Sequence, residues 1–457
     1  MSLAAHVVRA TAMPVGTPAV PVAIVGAGAC GLIATLTLRD AGLDALLLER
    51  DATPQGSTAL SSGFIPAAGT AVQRAAGVLD DSADQFASDI QAKAKGRAAP
   101  VLVAAYSRAI AGVIDNLQSR HGLDFELLDG FLYPGHSRRR MHSLPQRTGA
   151  ALVAALQAAA ERAGATLLTQ ALVRELWCDD SDRVIGLGCA RPDGGVEYLA
   201  CDALILACNG FGGNAAMVRE HLPEMADAVY AGHAGNEGSA ITWGQQLGAA
   251  LADLGGYQGH GGWAVPHGAL ITWALMVSGG IQVNALGRRF HDETAGYSEA
   301  AVQVLAQPGG VAWMVLDERL MAMAADFPDF AAAQAAGAVR TAADVATLAG
   351  LVGCPVAALA ETLAGTLAKP ALAPPWHAIR VTGALFHTQG GLDIDAGCRV
   401  LRADGSPLPN LLAAGGAARG VSGNTVWGYL SGNGLLSALA GGAIAARSAV
   451  ELLRTPS

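Results

Sequence analysis

Charged and aromatic residues are both scarce in this chain of 457 residues. Only 15% of the residues are charged and 5% are aromatic, whereas 52% are hydrophobic, and the net charge is -9. No long basic run occurs, which argues against a nucleic acid as partner. The chain is longer than one hydrophobic core usually supports, so its length and composition predict a large α/β protein with two domains.

Cysteine pairs with the spacing of a metal site or a redox motif are also lacking. The seven cysteines are scattered, and none forms a Cys-x-x-Cys pair. We therefore expect buried thiols in a reducing compartment, no metal site and a cytoplasmic location. Residues 1–21 do not look like a signal peptide. The nearest approach to a membrane span, residues 268–287, contains a Gly pair and polar residues that favour buried strands, so we expect no stable membrane insertion.

A dinucleotide-binding pattern occupies residues 21–50. The apolar run VAIVG leads into Gly26, Gly28 and Gly31, then an Ala/Leu-rich helix, then a second apolar run that ends at Glu49. Gly26 allows a tight turn, Gly28 lets a pyrophosphate approach the backbone, and Gly31 lets the helix and strand pack closely. The helix N-terminus offers N–H groups to phosphates, and Glu49 can accept hydrogen bonds from a ribose. By itself this pattern fits either FAD or NAD.

Two later apolar runs also end in glycine turns, at residues 203–214 (ALILACNGFGGN) and 409–416 (PNLLAAGG). A simple NAD domain would be contiguous and about 150 residues long. Here the halves of the site lie at opposite ends of the chain, which favours the longer cofactor FAD and an inserted domain. We predict the first part of a FAD-binding domain over 1–257, a substrate or cap domain over 258–380, and the second part of the FAD-binding domain over 381–457.

The chain from about residue 22 to about residue 446 resembles the fumarate reductase/succinate dehydrogenase flavoprotein superfamily, and within it the 3-ketosteroid Δ1-dehydrogenase branch. The resemblance rests on GAGACG, GSTALSSGFIPAAGT, CNGFGGN, GRRFHDE, HTQGGLDID and LSGNGLLSALAGG. It implies a Rossmann-like FAD-binding domain of the glutathione-reductase type with an inserted α+β cap domain. The cofactor-binding residues assigned on this basis are Gly26, Gly28, Gly31, Glu49, Arg50, Ser57, Thr58, Ser62, Gly63, Val173, Asn209, Gly210, Gly415, Gly416, Asn433, Gly434 and Leu435.

Three details of cofactor binding follow from this resemblance. Succinate dehydrogenases attach FAD to a histidine near the segment TALSSGF, and no histidine lies there in this chain, so we expect non-covalent FAD. The N-terminus of the last long helix, at about Gly432 to Gly434, is expected to face the flavin pyrimidine edge and stabilise negative charge there. The family usually has an acid that contacts the flavin ribitol where Gly416 stands.

The substrate residues of the family are only partly retained. His260, Thr272 and His387 match the two histidines and the threonine that hold a dicarboxylate in fumarate reductases. The arginine that donates a proton falls on Tyr297, and the arginine that clamps a carboxylate falls on Tyr429. Losing both arginines removes bidentate carboxylate recognition, so we expect fumarate and succinate to be poor substrates.

Tyrosines in these two positions resemble the ketosteroid branch. That resemblance implies that Tyr297 abstracts a proton beside a ketone, while Tyr429 and the N–H of Asn433 polarise the carbonyl. An ordinary tyrosine has a pKa of about 10, so Tyr297 would need a neighbour that stabilises its phenolate. His260, His387 and an arginine are the candidates.

Several other residues are expected to have structural roles. The family's relay glutamate and relay arginine fall on Trp273 and Met276, which we interpret as pocket wall or core. For Tyr133, packing in a loop is favoured over a role as a third tyrosine of the pocket. The arginines at 138–140 are expected on a solvated surface, with a minority alternative in which one of them binds a substrate carboxylate. Thr148 is expected to cap a helix, and residues 330–366 are expected to form Ala-rich helices.

The leading hypothesis is an FAD-dependent dehydrogenase that introduces an α,β double bond into a ketone, or runs the reverse reaction. The substrate would be a 3-ketosteroid or a smaller cyclohexanone-type ketone, with or without a carboxylate. The alternatives are a reductase of an unusual unsaturated acid, with Tyr297 as the acid, and a non-enzymatic flavin-binding redox module. The partner is then a small-molecule ketone or unsaturated acid. No sequence pattern identifies the electron acceptor, the oligomeric state or the direction of the reaction.

Overall fold

The computed structural model describes residues 4–129, 132–325, 327–365 and 370–454, which form two large sheets and two small ones. The strands are, in chain order, β1 (His6–Arg9), β2 (Ala19–Val25), β3 (Ala45–Leu48), β4 (Ile65–Pro66), β5 (Glu126–Leu127), β6 (Met141–Ser143), β7 (Thr166–Leu168), β8 (Leu172–Cys178), β9 (Val184–Ala190), β10 (Val196–Leu206), β11 (Val229–Tyr230), β12 (Leu251–Ala252), β13 (Tyr257–Ala264), β14 (Ala269–Leu270), β15 (Ile281–Val283), β16 (Val311–Asp317), β17 (Val339–Ala342), β18 (Trp376–Thr388), β19 (Gly391–Leu392), β20 (Arg399–Leu401) and β21 (Pro407–Ala413).

Helices cover both sheets. They are α1 (Ala29–Asp40), α2 (Ala71–Ala75), α3 (Ala83–Lys93), α4 (Pro100–Ser119), α5 (Gly149–Arg162), α6 (Ala215–His221), α7 (Ser239–Gln246), α8 (Ala274–Val277), α9 (Tyr297–Leu305), α10 (Glu318–Ala324), α11 (Pro328–Ala335), α12 (Val345–Val352), α13 (Val356–Ala364) and α14 (Asn433–Arg454).

The first large sheet carries the dinucleotide pattern. Strands β21, β10, β2, β3 and β7 lie side by side and are parallel. Their inner members are apolar runs buried on both faces, as parallel strands between helix layers require. Because parallel strands end at the same edge, the carboxyl ends of β2, β3, β10 and β21 meet there. This edge is where an α/β sheet binds a dinucleotide.

Helix α14 runs through the core of the first domain. It packs against α1 and α4. Within the described ranges it is the one single helix whose length and apolar character would suffice for a membrane span, and 67% of its most apolar window is buried inside the protein. Helices α12 and α13 pass the same test only as a pair bent by 115°. A mostly buried helix of this kind fits the interior of a protein.

The second large sheet belongs to a separate hydrophobic core. Strands β14, β13, β18, β16 and β15 pair in that order, and β11 and β17 pair with the long strand β18. Helices α9 to α13 and buried residues such as Met314 and Ile379 build this core. The two cores and the mixed sheets confirm the predicted α/β fold with a Rossmann-like domain and an inserted cap. The predicted boundaries at 257/258 and 380/381 fall within β13 and β18 and stay predictions.

Local expectations had mixed outcomes. Thr148 does cap α5, because its side chain accepts a hydrogen bond from the N–H of Ala151. Residues 268–287 are not strands throughout, since α8 separates β14 from β15. Residues 330–366 likewise contain β17 between α11 and α12, because β18 offers that segment an edge to pair with. Residues 366–369 lie outside the described residues.

Candidate active site

One large cleft runs from the edge of the first sheet to the cap domain. It encloses about 1960 Å³ of space, including space open to solvent. The carboxyl ends of β2, β3 and β10 and the N-termini of α1 and α14 form one part of its wall. The other part comes from β13, the start of α9 and the end of β18. The cleft therefore joins the dinucleotide edge to the cap.

The glycine turn after β2 has the geometry that its sequence predicts. Gly26 has φ +105°, and a Cβ there would lie 2.6 Å from the Ala207 carbonyl oxygen. A Cβ on Gly31 would lie 1.9 Å from the Gly26 oxygen. Glu49 ties the turn to the end of β3, because its Oε2 accepts from the Ala27 N–H at 2.9 Å and its Oε1 from the Asp51 N–H at 3.0 Å. Only glycine fits at positions 26 and 31.

Asn209 occupies the space beside Gly416. A Cβ on Gly416 would lie only 2.1 Å from the Asn209 Oδ1. Asn209 itself adopts φ +65°, which asparagine tolerates better than most residues. Its Nδ2 donates to the Ser57 Oγ at 2.7 Å. The acid that the family places at 416 therefore has no room here, and the polar side chain at this point of the cleft comes from Asn209 instead.

Most of the predicted cofactor residues line the cleft. One of them, Thr58, accepts a hydrogen bond through its Oγ1 from the backbone N–H of Ala29 at the start of α1, at 3.1 Å. The lining members are Gly26, Gly28, Glu49, Arg50, Ser57, Thr58, Ser62, Gly63, Val173, Asn209, Gly415, Gly416, Gly434 and Leu435. Gly31, Gly210 and Asn433 lie behind this surface.

The expected contact between Asn433 and a ketone is wrong. The N–H of Asn433 donates to the Leu430 oxygen at 3.0 Å, and its Nδ2 donates to the Ser422 Oγ at 2.9 Å. The next residue, Gly434, lines the cleft, and its N–H donates to the Tyr429 Oη at 3.5 Å. The backbone N–H that contacts the Tyr429 hydroxyl is therefore that of Gly434.

The predicted catalytic side chains meet in the cap half of the cleft. Tyr297 is the first residue of α9, and its ring stacks on His260 with centroids 4.9 Å apart. The centroid of Tyr429 is 6.1 Å from that of Tyr297 and 5.6 Å from that of His387. Thr272 lines the same region. The five residues that the sequence selected thus form one cluster.

Two contacts hold the start of α9 in place. The Ser298 Oγ donates to the Gly259 oxygen at 3.1 Å, which ties the helix to β13. Lys93 reaches across from α3, donates to the Ala295 oxygen at 2.9 Å and pairs with Glu299. Residues on both sides of Tyr297 are therefore bound to neighbouring elements, and the tyrosine is held at the cleft wall.

Both cleft histidines are neutral at neutral pH. Burial lowers the pKa of His260 to about 3 and that of His387 to about 4. The His260 Nδ1 accepts from the Gly262 N–H at 2.9 Å, which leaves its other nitrogen as the protonated one. Neither histidine carries the positive charge that would stabilise a phenolate. Burial accordingly raises the pKa of Tyr297 and of Tyr429 above the usual range.

The arginines at 138–140 do not stabilise a Tyr297 phenolate either. Arg140 is fully buried, contrary to the expected solvated position, because its guanidinium binds Asp81 at 2.7 and 2.8 Å and also pairs with Asp89. Arg138 and Arg139 pair with Asp80 and Asp129. None of the three arginines lines the large cleft.

Two polar residues of the cleft, Tyr133 and Asp329, were not assigned to it from the sequence. Tyr133 lines the cleft next to the other tyrosines, although loop packing was the favoured interpretation. Asp329, at the start of α11, also lines it, and no motif marks this residue. Trp273 forms wall and Met276 core, as predicted. Only the folding of α11 toward the first domain brings Asp329 here.

Comparison with known proteins identifies the family. The model of the FAD binding domain family matches residues 21–435, so the chain belongs to this family of flavoproteins. The chain is 27% identical to an NADH:fumarate oxidoreductase of Klebsiella pneumoniae (strain 342), covering 95% of this chain but only 48% of that protein, so it spans about half the length of this relative.

Two further relatives act on ketones, by their names. A 4-oxocyclohexanecarboxylate 2-dehydrogenase of Sinomonas cyclohexanicum is 26% identical to this chain. The match covers 96% of this chain and 97% of that protein. A solved structure of a 3-ketosteroid Δ4-(5α)-dehydrogenase from Rhodococcus jostii RHA1, in complex with 4-androstene-3,17-dione, superposes with a TM-score of 0.73 at 26% identity. That match covers 94% of this chain and 97% of the other. The resemblance inferred from the sequence is confirmed.

The cleft fits FAD, the cofactor that the family shows. Gly26 and Gly31 leave the backbone bare at the start of α1, where N–H groups can bind phosphate. Glu49 keeps unused acceptor capacity for a ribose hydroxyl, since each oxygen accepts only one backbone hydrogen bond. The chain is therefore an FAD-dependent oxidoreductase whose cleft extends beyond the cofactor half into a cluster of tyrosines and histidines.

Proposed function

We propose that this protein interconverts a ketone and its α,β-unsaturated counterpart. The observation that carries the proposal is the meeting of Tyr297 and Tyr429 in one cluster, in which the Tyr429 oxygen accepts the Gly434 N–H at 3.5 Å. A hydroxyl whose oxygen accepts a hydrogen bond keeps its own O–H to donate, so Tyr429 can donate to a carbonyl oxygen that gains negative charge. The names of the two ketone dehydrogenases among the relatives support the same substrate class.

Each residue of the cluster has a defined task in this reaction. The Tyr429 hydroxyl, whose oxygen accepts the Gly434 N–H, donates to the carbonyl oxygen and so acidifies the neighbouring C–H bond. The Tyr297 oxygen takes the proton from the α-carbon in desaturation and returns it in saturation. FAD, held by the dinucleotide half of the cleft, would supply the hydride chemistry at the β-carbon. The substrate thus loses one proton and one hydride, and a C=C bond forms.

The raised pKa of Tyr297 bears on the direction of the reaction. The resting residue is a neutral phenol, because its hydroxyl is desolvated and the neighbouring His260 is uncharged. A phenol is ready to donate a proton to an α-carbon, whereas it must lose its own proton before it can accept one. Tyr429 and Ser431 are among the polar groups that interact with its hydroxyl. Saturation of an enone therefore starts from the resting state of the site.

The histidines and the threonine are proposed to shape the pocket. The His260 ring lies flat against Tyr297 and holds its orientation, and His387 packs edge-on against Tyr429. Thr272 adds a hydroxyl to the same wall. We also propose a cytoplasmic location, since all seven cysteines are unpaired thiols.

Anaerobic mixing with a small panel of compounds tests the proposal. Cyclohexanone-type ketones should bleach the oxidised flavin, and matched enones should restore the colour of the chemically reduced protein. An unsaturated acid that re-oxidises the flavin faster than any enone would instead support the reductase of an unsaturated acid. A flavin that responds to none of these compounds would leave only the redox module.

A further inference from the structure

The cleft contains a carboxylate that the proposed chemistry does not use. Asp329 is the second residue of α11, and its Oδ2 lies 3.3 Å from the Ser62 Oγ, which donates to it. The side chain keeps solvent-accessible surface because it faces the open cleft. The surrounding protein still removes enough water to raise the pKa of this carboxyl. Asp329 thus presents acceptor oxygens to whatever enters the cap half of the cleft.

No basic side chain offsets this charge in the cap half, as far as the described residues show. Arg50 is the one arginine or lysine among the described residues that line the cleft, and it donates to the Gly235 oxygen at 2.7 Å on the dinucleotide side. Lys93 is near the tyrosines but pairs with Glu299 behind the wall. Among the described residues that line the cap half, a ligand therefore meets the carboxylate of Asp329 and no arginine or lysine.

Asp329 enters the cleft from α11, which packs against β14 of the cap sheet. The proposed carbonyl donor Tyr429 instead comes from the segment that leads into α14. Burial, with a contribution from the Asp329 charge, raises the pKa of Tyr133. The carboxylate and the carbonyl donor are therefore supplied by different parts of the cleft wall.

We infer that Asp329 selects the substrate by the group at its far end, favouring a ketone with a hydrogen-bond donor there and rejecting one with a carboxylate. The inference rests on the proposed function, because the tyrosine cluster defines which end of the ketone reacts. A donor such as an amide, hydroxyl or ammonium satisfies the Asp329 oxygens. A carboxylate would bring a second negative charge into a partly dry cleft with no partner.

The matched pair 4-oxocyclohexanecarboxamide and 4-oxocyclohexanecarboxylate tests this. The two have almost the same shape and differ in charge and in the presence of a donor. Binding is measured as the change in flavin absorbance of the holoprotein, in a Tyr297→Phe background that slows turnover. We expect the carboxamide to bind at least about tenfold more tightly, which corresponds to about 1.4 kcal/mol.

Adding Asp329→Asn should bring the two dissociation constants to within about threefold of each other. The amide is isosteric with the carboxylate and keeps a hydrogen-bonding group for Ser62, so FAD content should stay normal. Asp84→Asn is the matched control, because Asp84 is exposed on α3 and lies outside the cleft. This control should leave the tenfold preference unchanged.

Three results would overturn the inference: equal or tighter binding of the carboxylate, a preference that survives Asp329→Asn, or no binding of either compound. Flavin reduction by the carboxamide in the protein with native Tyr297 is measured separately. Reduction without the charge preference would refute the role of Asp329 alone. The charge preference without any reduction would refute the proposed reaction and leave the selection by Asp329 standing.

Discussion

Replacing Tyr297 by phenylalanine removes one oxygen from the proposed proton-transfer site and little else. The ring that stacks on His260 at 4.9 Å is retained, and the backbone at the start of α9 stays bound through Ser298 and Lys93. None of the described hydrogen bonds that hold the FAD half of the cleft involves this hydroxyl. We therefore expect Tyr297→Phe to fold and to bind FAD normally.

The expected effect on the rate is large. A positioned acid or base typically contributes about 10²–10⁴-fold, which corresponds to about 3–5 kcal/mol of the barrier. The cleft histidines cannot replace the tyrosine, because His260 has its Nδ1 bound to Gly262 and lies flat against the ring. His387 contacts Tyr429, and burial lowers its pKa to about 4, which makes it a weak base. Flavin reduction by the best ketone should therefore slow by at least about a hundredfold.

Stopped-flow measurement of flavin reduction under anaerobic conditions gives the rate directly. Tyr257→Phe is the matched control, because that buried tyrosine lies on β13 outside the cleft, and its hydroxyl donates to Glu224 at 3.0 Å. The control should keep the native rate. If Tyr297→Phe stays within a few-fold of the native protein while its FAD content is normal, Tyr297 is a wall residue and the assignment is refuted.

Four further predictions concern the cofactor, the substrate class and stability. Acid precipitation should release FAD into the supernatant, and flavin retained on the pellet would contradict non-covalent binding. Fumarate and succinate should be poor substrates because Tyr297 and Tyr429 replace arginines, and rapid fumarate reduction by the dye-reduced protein would show otherwise. Arg140→Met leaves Asp81 buried and unpaired, so urea unfolding should show a loss of about 3–5 kcal/mol, and a loss below about 1 kcal/mol would count against that pair. His387 has a pKa of about 4 in the folded protein, below the ordinary value of 6.5. As the pH falls, the unfolded chain therefore binds a proton at this residue before the folded chain does. Because of this residue, the free energy of unfolding should fall by about 3 kcal/mol between pH 6.5 and 4. A His387→Gln variant should lose less over this range, and an unchanged slope would refute the assignment.

The proposed replacement of arginine by tyrosine would explain how the same fold serves a ketone instead of a dicarboxylate. A dicarboxylate needs cationic forks at both ends, whereas a ketone needs a neutral donor at its oxygen. The Tyr429 hydroxyl, whose oxygen accepts the Gly434 N–H, can provide such a donor. Trp273 in the wall and Met276 in the core behind it stand where the family has its charged relay, which leaves this part of the cap apolar. The changes are mutually consistent, since each removes charge from the cap half of the cleft.

The sequence by itself determined the cofactor class and the local geometry of the glycine turn. The glycines at 26, 28 and 31 and the acid at Glu49 act through backbone geometry over a short stretch of chain, so their spacing already specifies their arrangement. The motif positions of Tyr297, Tyr429, His260 and His387 were equally visible, because each follows a recognisable local segment.

Tertiary structure alone decided the remaining features of the site. Asp329 carries no motif, and it reaches the cleft only because α11 packs beside Ser62 of the other domain. The Asn433 N–H was excluded as a donor because Leu430 takes it in the turn before α14. Arg140 became buried because Asp81 and Asp89 close around it. Such contacts join residues far apart in the chain or depend on one hydrogen bond in a turn, so short-range sequence patterns do not encode them, and the packing of the two domains determines which charges face the substrate.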